Sequence, residues 1–184
     1  LPAYLRGLLW FGTDDANTSV YLPVFCSVKK APAQLAHGDI NTLDWNSNFW
    51  VNNYVANQAY NRYSLMIPDI RRVQSKLERD IEEDVRVAIE QIPAFSDEEI
   101  CHNLTQDLAD IWAERATTEY KKLGDYLFVK FLDGNMKKTD ADHNFVKSEH
   151  GMPVYPEFPG YDDRYFRTIV DDAGPRLRVN KISY

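Results

Sequence analysis

Leu8-Leu9-Trp10-Phe11-Gly12-Thr13-Asp14-Asp15-Ala16-Asn17-Thr18-Ser19-Val20-Tyr21-Leu22-Pro23-Val24-Phe25 sets two apolar runs on either side of a short polar segment. The runs are rich in aromatic and β-branched residues, and Gly12 opens the break between them. They predict strands over 6–12 and 19–28. Paired as an antiparallel hairpin, these strands put Asp14 and Asp15 at the tip as adjacent exposed carboxylates. Such a pair beside Trp10 and Phe11 can attract a small cationic group such as an α-amine. The plainer alternative is an ordinary solvated turn. Trp10 itself reads as core packing.

Downstream, residues 29–43, with Pro32 and Gly38 and no steady period, read as a connecting loop. From Asn46 the pattern turns helical. Trp50, Val51, Tyr54, Val55 and Ala59 form one stripe, with Asn52, Asn53 and Asn57 on other faces and an end near Tyr63. Pro68 is suited to opening a second helix, where its missing donor is harmless. Ile70, Val73, Leu77, Ile81, Val85 and Ile89 give that helix a sharp apolar edge. Arg71, Arg72, Lys76, Glu78, Arg79, Asp80, Glu82, Glu83 and Arg86 read as a solvated face laced with local ion pairs. Pro93 stops it.

Ser96-Asp97-Glu98-Glu99 is a capping-box pattern that opens a third helix running to about Leu132, with Gly124 as a weak point. Its expected apolar face is Ile100, Leu104, Leu108, Ile111, Trp112, Tyr120, Leu123 and Leu127. The short connection between the second and third helices predicts an antiparallel helical hairpin. Beyond Asn135 the chain loosens. The Gly151–Tyr161 stretch, rich in proline and glycine, reads as an irregular tail whose aromatics pin it to a surface. Tyr165–Val170 and Arg176–Val179 read as short closing strands.

The 184 residues suit one domain or part of a larger one, and 44% hydrophobic with 27% charged residues is a globular composition. A net charge of -7 argues against a nucleic-acid partner, which requires a basic face. Nothing is long and apolar enough to act as a membrane span. The chain opens at Leu1 without an initiator Met or a signal-peptide pattern, so it reads as a processed product or a piece of a longer chain. Cys26 and Cys101 define no disulfide framework, and Cys26, inside an apolar run, reads as a buried inert thiol. The Asn17-Thr18-Ser19 and Asn103-Leu104-Thr105 sequons matter only in a glycosylating pathway, and the compartment stays open.

No GxSxG elbow, GxxxxGK[ST] loop or GxGxxG turn is present. His143 and His150 lie near Asp140, Asp142 and Glu149, but their spacing fits no helical ligand pair. Asp133-Gly134-Asn135 fails the calcium-loop pattern, because Lys137 falls on a ligand position and no glutamate closes the loop. Read alone, the residues offer acids and aromatics for binding without a nucleophile and its base.

Trp10–Pro23 resembles a segment of the dipeptidase A (PepD-like) family. Asn48-Phe49-Trp50-Val51-Asn52-Asn53-Tyr54-Val55-Ala56-Asn57, followed after Pro68 by Asp69-Ile70-Arg71-Arg72-Val73-Gln74, is similar to the helical region that comes next there. These are cysteine peptidases of the N-terminal-nucleophile hydrolase superfamily, with secernins as relatives. The resemblance covers most of 8–92, and Tyr155-Pro156 is a weaker echo.

The resemblance implies an α+β chain, the C-terminal portion of an α/β/β/α sandwich. Over 1–184 it comprises a hairpin at 1–28, a helical region at 46–132 and an irregular tail with short strands at 133–184. It implies a dipeptidase whose nucleophile is an N-terminal cysteine outside this chain, with that cysteine's own α-amine as base. No catalytic residue carries over, and the isolated chain is expected to be inactive. The arginine that related bile-acid amidases bring from the corresponding hairpin has no counterpart in Asn17-Thr18-Ser19.

A pocket position for the Gly12–Ser19 segment does carry over. Asp14 or Asp15 is the expected anchor for a free α-ammonium, with Asn17 and Thr18 as polar neighbours. No metal or organic cofactor is implied. The expected partners are a dipeptide substrate and the N-terminal half of the same protein, with homo-oligomer formation left open. Two competing readings are a non-catalytic interaction domain built on the helical hairpin, and an acyl-amide (bile-salt-type) hydrolase of the same superfamily.

Overall fold

Helices dominate this α+β chain, and they grip a small hairpin near its start. The computed structural model describes residues 2–154 and 156–177. The chain forms two units, Leu1–Phe128 and Val129–Tyr184, described separately below.

In the first unit β1 (Leu8–Phe11) pairs antiparallel with β2 (Leu22–Phe25), in the register Leu8↔Phe25 through Phe11↔Leu22. The pairing confirms the hairpin, but each strand is shorter than expected. The intervening residues are drawn off by helix side chains instead of extending the ladder. β2 carries the buried side, through Leu22, Pro23 and Phe25, whereas Leu9, Trp10 and Phe11 of β1 are exposed. Trp10 is therefore not core. Cys26 is exposed too: as the residue after inward-facing Phe25, the strand's period of two turns it outward. A two-stranded hairpin is marginal by itself and gains its stability from helices packed against it.

Helices further along the chain supply that packing. α1 (Ala33–Ala36) is a single turn within the predicted loop. α2 (Asn48–Asn61) ends at Arg62, where φ is -151°, and α3 (Tyr63–Gln91) starts at once. Pro68 lies inside α3 and not at its start. The amides of Leu65 and Met66 already bond the Arg62 carbonyl, both at 3.1 Å, so the first turn is nucleated ahead of the proline. The bond Pro68 cannot donate would have gone to the carbonyl of Ser64, an exposed residue whose carbonyl solvent can serve.

α4 (Glu98–Lys130) follows a 3₁₀ turn at Ile92–Ala94. Three side-chain contacts set the hairpin register. Tyr126 reaches Asp69 at 3.5 Å, Arg115 reaches Asp80 at 3.2 Å and Trp112 Nε1 donates to Asp84 at 3.0 Å. The partners run in opposite directions, so α3 and α4 are antiparallel as predicted.

The faces differ from the expected ones in α2 and α4. Asn48 and Asn52 of α2 are buried alongside Val51, Val55, Ala56 and Ala59. In α4 the buried face includes Cys101, Thr105, Ala109, Ala113, Ala116 and Thr117, while Ile100 and Ile111 stay exposed. Small side chains win this face because the partner elements approach closely. Gly124 shows the extreme, since a Cβ there would lie 2.3 Å from Tyr54 Cδ1. It is a close-packing point in a continuous helix, not a weak one. The cap of α4 is Asp97 instead of Ser96, its Oδ1 accepting from the amides of Glu99 at 2.9 Å and Ile100 at 3.4 Å.

In the second unit, short bridges Met136↔Glu157, Thr139↔Phe145 and Lys147↔Pro153 organise the stretch read as irregular. Met152, Phe158 and Tyr161 are exposed, and Tyr161 stacks on Tyr165 with ring centroids 4.2 Å apart. The expected strand at Tyr165–Val170 is instead helix α5 (Asp163–Ala173), capped by Asp162, which accepts from the Tyr165 amide at 2.8 Å. Tyr165, Phe166, Ile169 and Val170 recur at helical spacing, and the cap outweighs their β propensity. Of the second expected strand, Arg176 and Leu177 lie in a 3₁₀ turn, and 178–179 lie outside the described residues, as does Tyr155.

Candidate functional site

Between the strands, residues 12–21 fold back onto the helices and are held by side chains from α2, α3 and α4. Asn52 of α2 accepts from the Val20 amide at 3.4 Å while its own amide group donates to Asn48. Thr13 donates to Asn48 Oδ1 at 2.9 Å, and Asn48 donates to Thr117 of α4 at 3.0 Å. From α3, Gln74 donates to the Ser19 carbonyl at 2.7 Å, and Glu78 accepts from the Tyr21 amide at 3.4 Å. The Tyr120 hydroxyl of α4 donates to the Thr18 carbonyl at 2.8 Å. Burial pushes that phenol far up, so it stays a donor at every ordinary pH.

The two adjacent carboxylates are half-buried and have different surroundings. Asp15 is saturated. Its Oδ1 accepts from the amides of Asn17 at 2.7 Å and Thr18 at 3.1 Å and from the Thr18 hydroxyl at 3.4 Å, and its Oδ2 accepts from the Tyr60 hydroxyl at 2.9 Å. Burial opposes ionisation, but these donors together hold the Asp15 carboxyl below the usual range, and the same bond raises Tyr60. Asp14 has a single donor, Asn53 at 3.3 Å on Oδ1. Its Oδ2 is buried and has no hydrogen-bond partner among the described residues. A buried acceptor left unmade costs about 1–3 kcal/mol, more when charged, so Asp14 is the carboxylate with capacity to spare.

Thr18 is only 1% exposed and is spent on the turn. Asn17 is exposed, between the Tyr63 hydroxyl and the Arg71 guanidinium. The residues of the expected site thus share one loop, though the carboxylates do not sit at an open tip.

Asn48, Asn52, Asn53, Tyr60, Arg71 and Gln74 escaped the sequence reading. The sequence pattern puts Arg71 on the solvated face of α3, yet it reaches the loop and also donates to Gln74 at 2.8 Å. One signal was available: Arg71, Gln74 and Glu78 fall at helical spacing on one line of α3. Among the described residues no cluster of three or more His, Cys, Asp or Glu is placed to hold a metal, and no helix is long and apolar enough to cross a membrane.

The loop is thus an acid-bearing segment clamped by polar helix side chains of an α+β chain. Residues 1–76 match the model of Peptidase family C69, the dipeptidase A family of cysteine peptidases. The match covers 76 of the 184 residues, less than half of the chain. It spans the whole loop, both strands, α1, α2 and the first half of α3. No curated protein matches the chain.

Proposed function

We propose that this chain is the C-terminal part of a dipeptidase that hydrolyses short peptides. The nucleophile is an N-terminal cysteine thiol outside 1–184. That thiol attacks the peptide carbonyl while its own α-amine takes the proton; the tetrahedral adduct then breaks its C–N bond, the departing amine takes that proton, and water cleaves the thioester that is left. The chain's own contribution is recognition. Asp14 offers the unfilled Oδ2 to the substrate's α-ammonium, while Asp15, Asn17 and Thr18 hold the loop that presents it.

The observation that carries this reading is the asymmetry between the carboxylates, one saturated and one left with a buried, unmatched oxygen. A charge-assisted hydrogen bond is worth about 1.5–3 kcal/mol, or about ten- to a hundredfold in affinity. In the full-length enzyme, Asp14→Asn should lower kcat/KM for a free-amine dipeptide by about that factor and leave an N-acetylated analogue nearly unchanged. Equal effects on both would remove the amine anchor. Purified 1–184 should show no dipeptide turnover, and activity that survives purification would place the nucleophile within it.

A further inference from the structure

On α3, most acidic side chains have a partner. Asp80 holds Lys76 and Arg115, Glu83 and Glu90 hold Arg86, and Asp84 accepts from Trp112. Glu78, which accepts from the Tyr21 amide at 3.4 Å, and Glu82 stand outside these ion pairs. They are one turn apart with like charge, an unfavourable spacing, and neither has an ion-pair partner within 4.0 Å among the described residues. Both line a cleft of about 300 Å³ whose other walls are Trp10 and Tyr21. Trp10 is 40% exposed there, although large aromatic side chains favour burial.

We propose that this cleft is a binding site for the ammonium or guanidinium end of a basic side chain. Aromatic faces attract such cations through their quadrupole, tryptophan most strongly, and two unpaired carboxylates add the complementary charge. The volume suits a side-chain end and not a large ligand. The cleft is also preformed. A Cβ on Gly12 would lie 3.1 Å from Tyr21 Cε1, so bare backbone lets the ring settle there. The Tyr21 hydroxyl donates to the Ala16 carbonyl at 3.3 Å, and its amide donates to Glu78 at 3.4 Å. Burial raises the Glu78 carboxyl, with Glu82 adding repulsion, while Tyr21 and the nearby Arg71 act in the opposite sense. The site is separate from Asp14 and does not depend on the peptidase reading.

The test is an NMR titration of the 184-residue chain with n-butylguanidinium and with its neutral isostere n-butylurea, read at the Trp10 indole N–H. Butylguanidinium should shift that signal saturably, and butylurea should not. Trp10→Ala, followed at backbone amides near Tyr21, and Glu82→Gln should each weaken the cation about two- to fivefold. Glu82 is exposed, so its variant tests charge without disturbing the core. Asp14→Asn should leave the titration unchanged. Equal binding of butylurea, no shift at Trp10, or unaltered affinity in Glu82→Gln would overturn the proposal. Loss of cation binding in Asp14→Asn alone would overturn it as well, by placing the cation in the loop.

Discussion

Two aspartate turns, one in each unit, are built alike and supported differently. Asp15 and Asp140 each fold the next residues around a carboxylate. Asp15 accepts from the amides of Asn17 and Thr18, and Asp140 accepts from those of Asp142 and Asn144 at 2.9 Å each. In both, amide donors hold the carboxyl below its usual range. The Asp140 turn closes on itself: the Asp140 amide bonds the Asn144 carbonyl, and the Asn144 side chain returns to Asp140. The Asp15 turn is tied outward, to Tyr60 of α2 and, through its neighbours, to Gln74 of α3 and Tyr120 of α4. A turn satisfied within itself needs no position in the fold. One satisfied by three helices has its coordinates set by them, which recognition requires.

The most severe way to break that contrast is to cut an outward tie. Tyr120→Phe removes the hydroxyl bonded to the Thr18 carbonyl at 2.8 Å and leaves that carbonyl in a fully buried place. The expected loss is about 1–3 kcal/mol, read as a lower urea midpoint with unchanged slope. An unchanged midpoint would mean that the loop holds its own shape and the helix ties are incidental.

The next test sharpens the contrast through pH. The Asp15 carboxyl has a folded pKa below its ordinary value of 3.8, so its ionised form is favoured in the folded chain. Its contribution to stability is complete above the unfolded pKa. It is lost as pH falls from there through the folded pKa, because the unfolded chain binds the proton first. Denaturation midpoints should therefore fall between about pH 5 and pH 3. Asp15→Asn should flatten part of that fall while lowering the midpoint at pH 7. A pH profile identical to that of the unsubstituted chain would contradict the hydrogen-bond geometry.

Features whose cause lies within a few residues were legible in the sequence. The two apolar runs predicted the hairpin, and the regular three-and-four spacing from Ile70 to Ile89 predicted α3. What escaped depends on partners far along the chain. Asn48 and Asn52 look like surface residues until Thr13 and Val20, more than thirty positions earlier, arrive beside them. The small-residue face of α4 was hidden because the larger Ile100 and Ile111 suggested another stripe, and only close packing such as Tyr54 on Gly124 overrules it. In the loop itself, the carboxylate pair was visible, but the division of roles between Asp14 and Asp15 was not. That division is made by Asn53 and Tyr60, two turns apart on a helix whose contact with the loop no local pattern encodes. α5 is the instructive miss, because its aromatic and β-branched residues satisfy two periodicities and the Asp162 cap decides between them.

The smallest effect belongs to the self-contained turn. Asp140→Asn keeps an oxygen that can accept from the amides of Asp142 and Asn144, and it disturbs no helix, because all of its partners lie within 140–144. Its pH dependence has the same sign as that of Asp15, since donors lower both carboxyls, but here solvent screens the charge and replaces lost bonds. The substitution should shift the urea midpoint less than Asp15→Asn does at every pH, and it should leave amide exchange across 12–21 untouched. A shift as large as that of Asp15→Asn would show that local satisfaction alone accounts for both turns, and the outward ties would then lose their special standing.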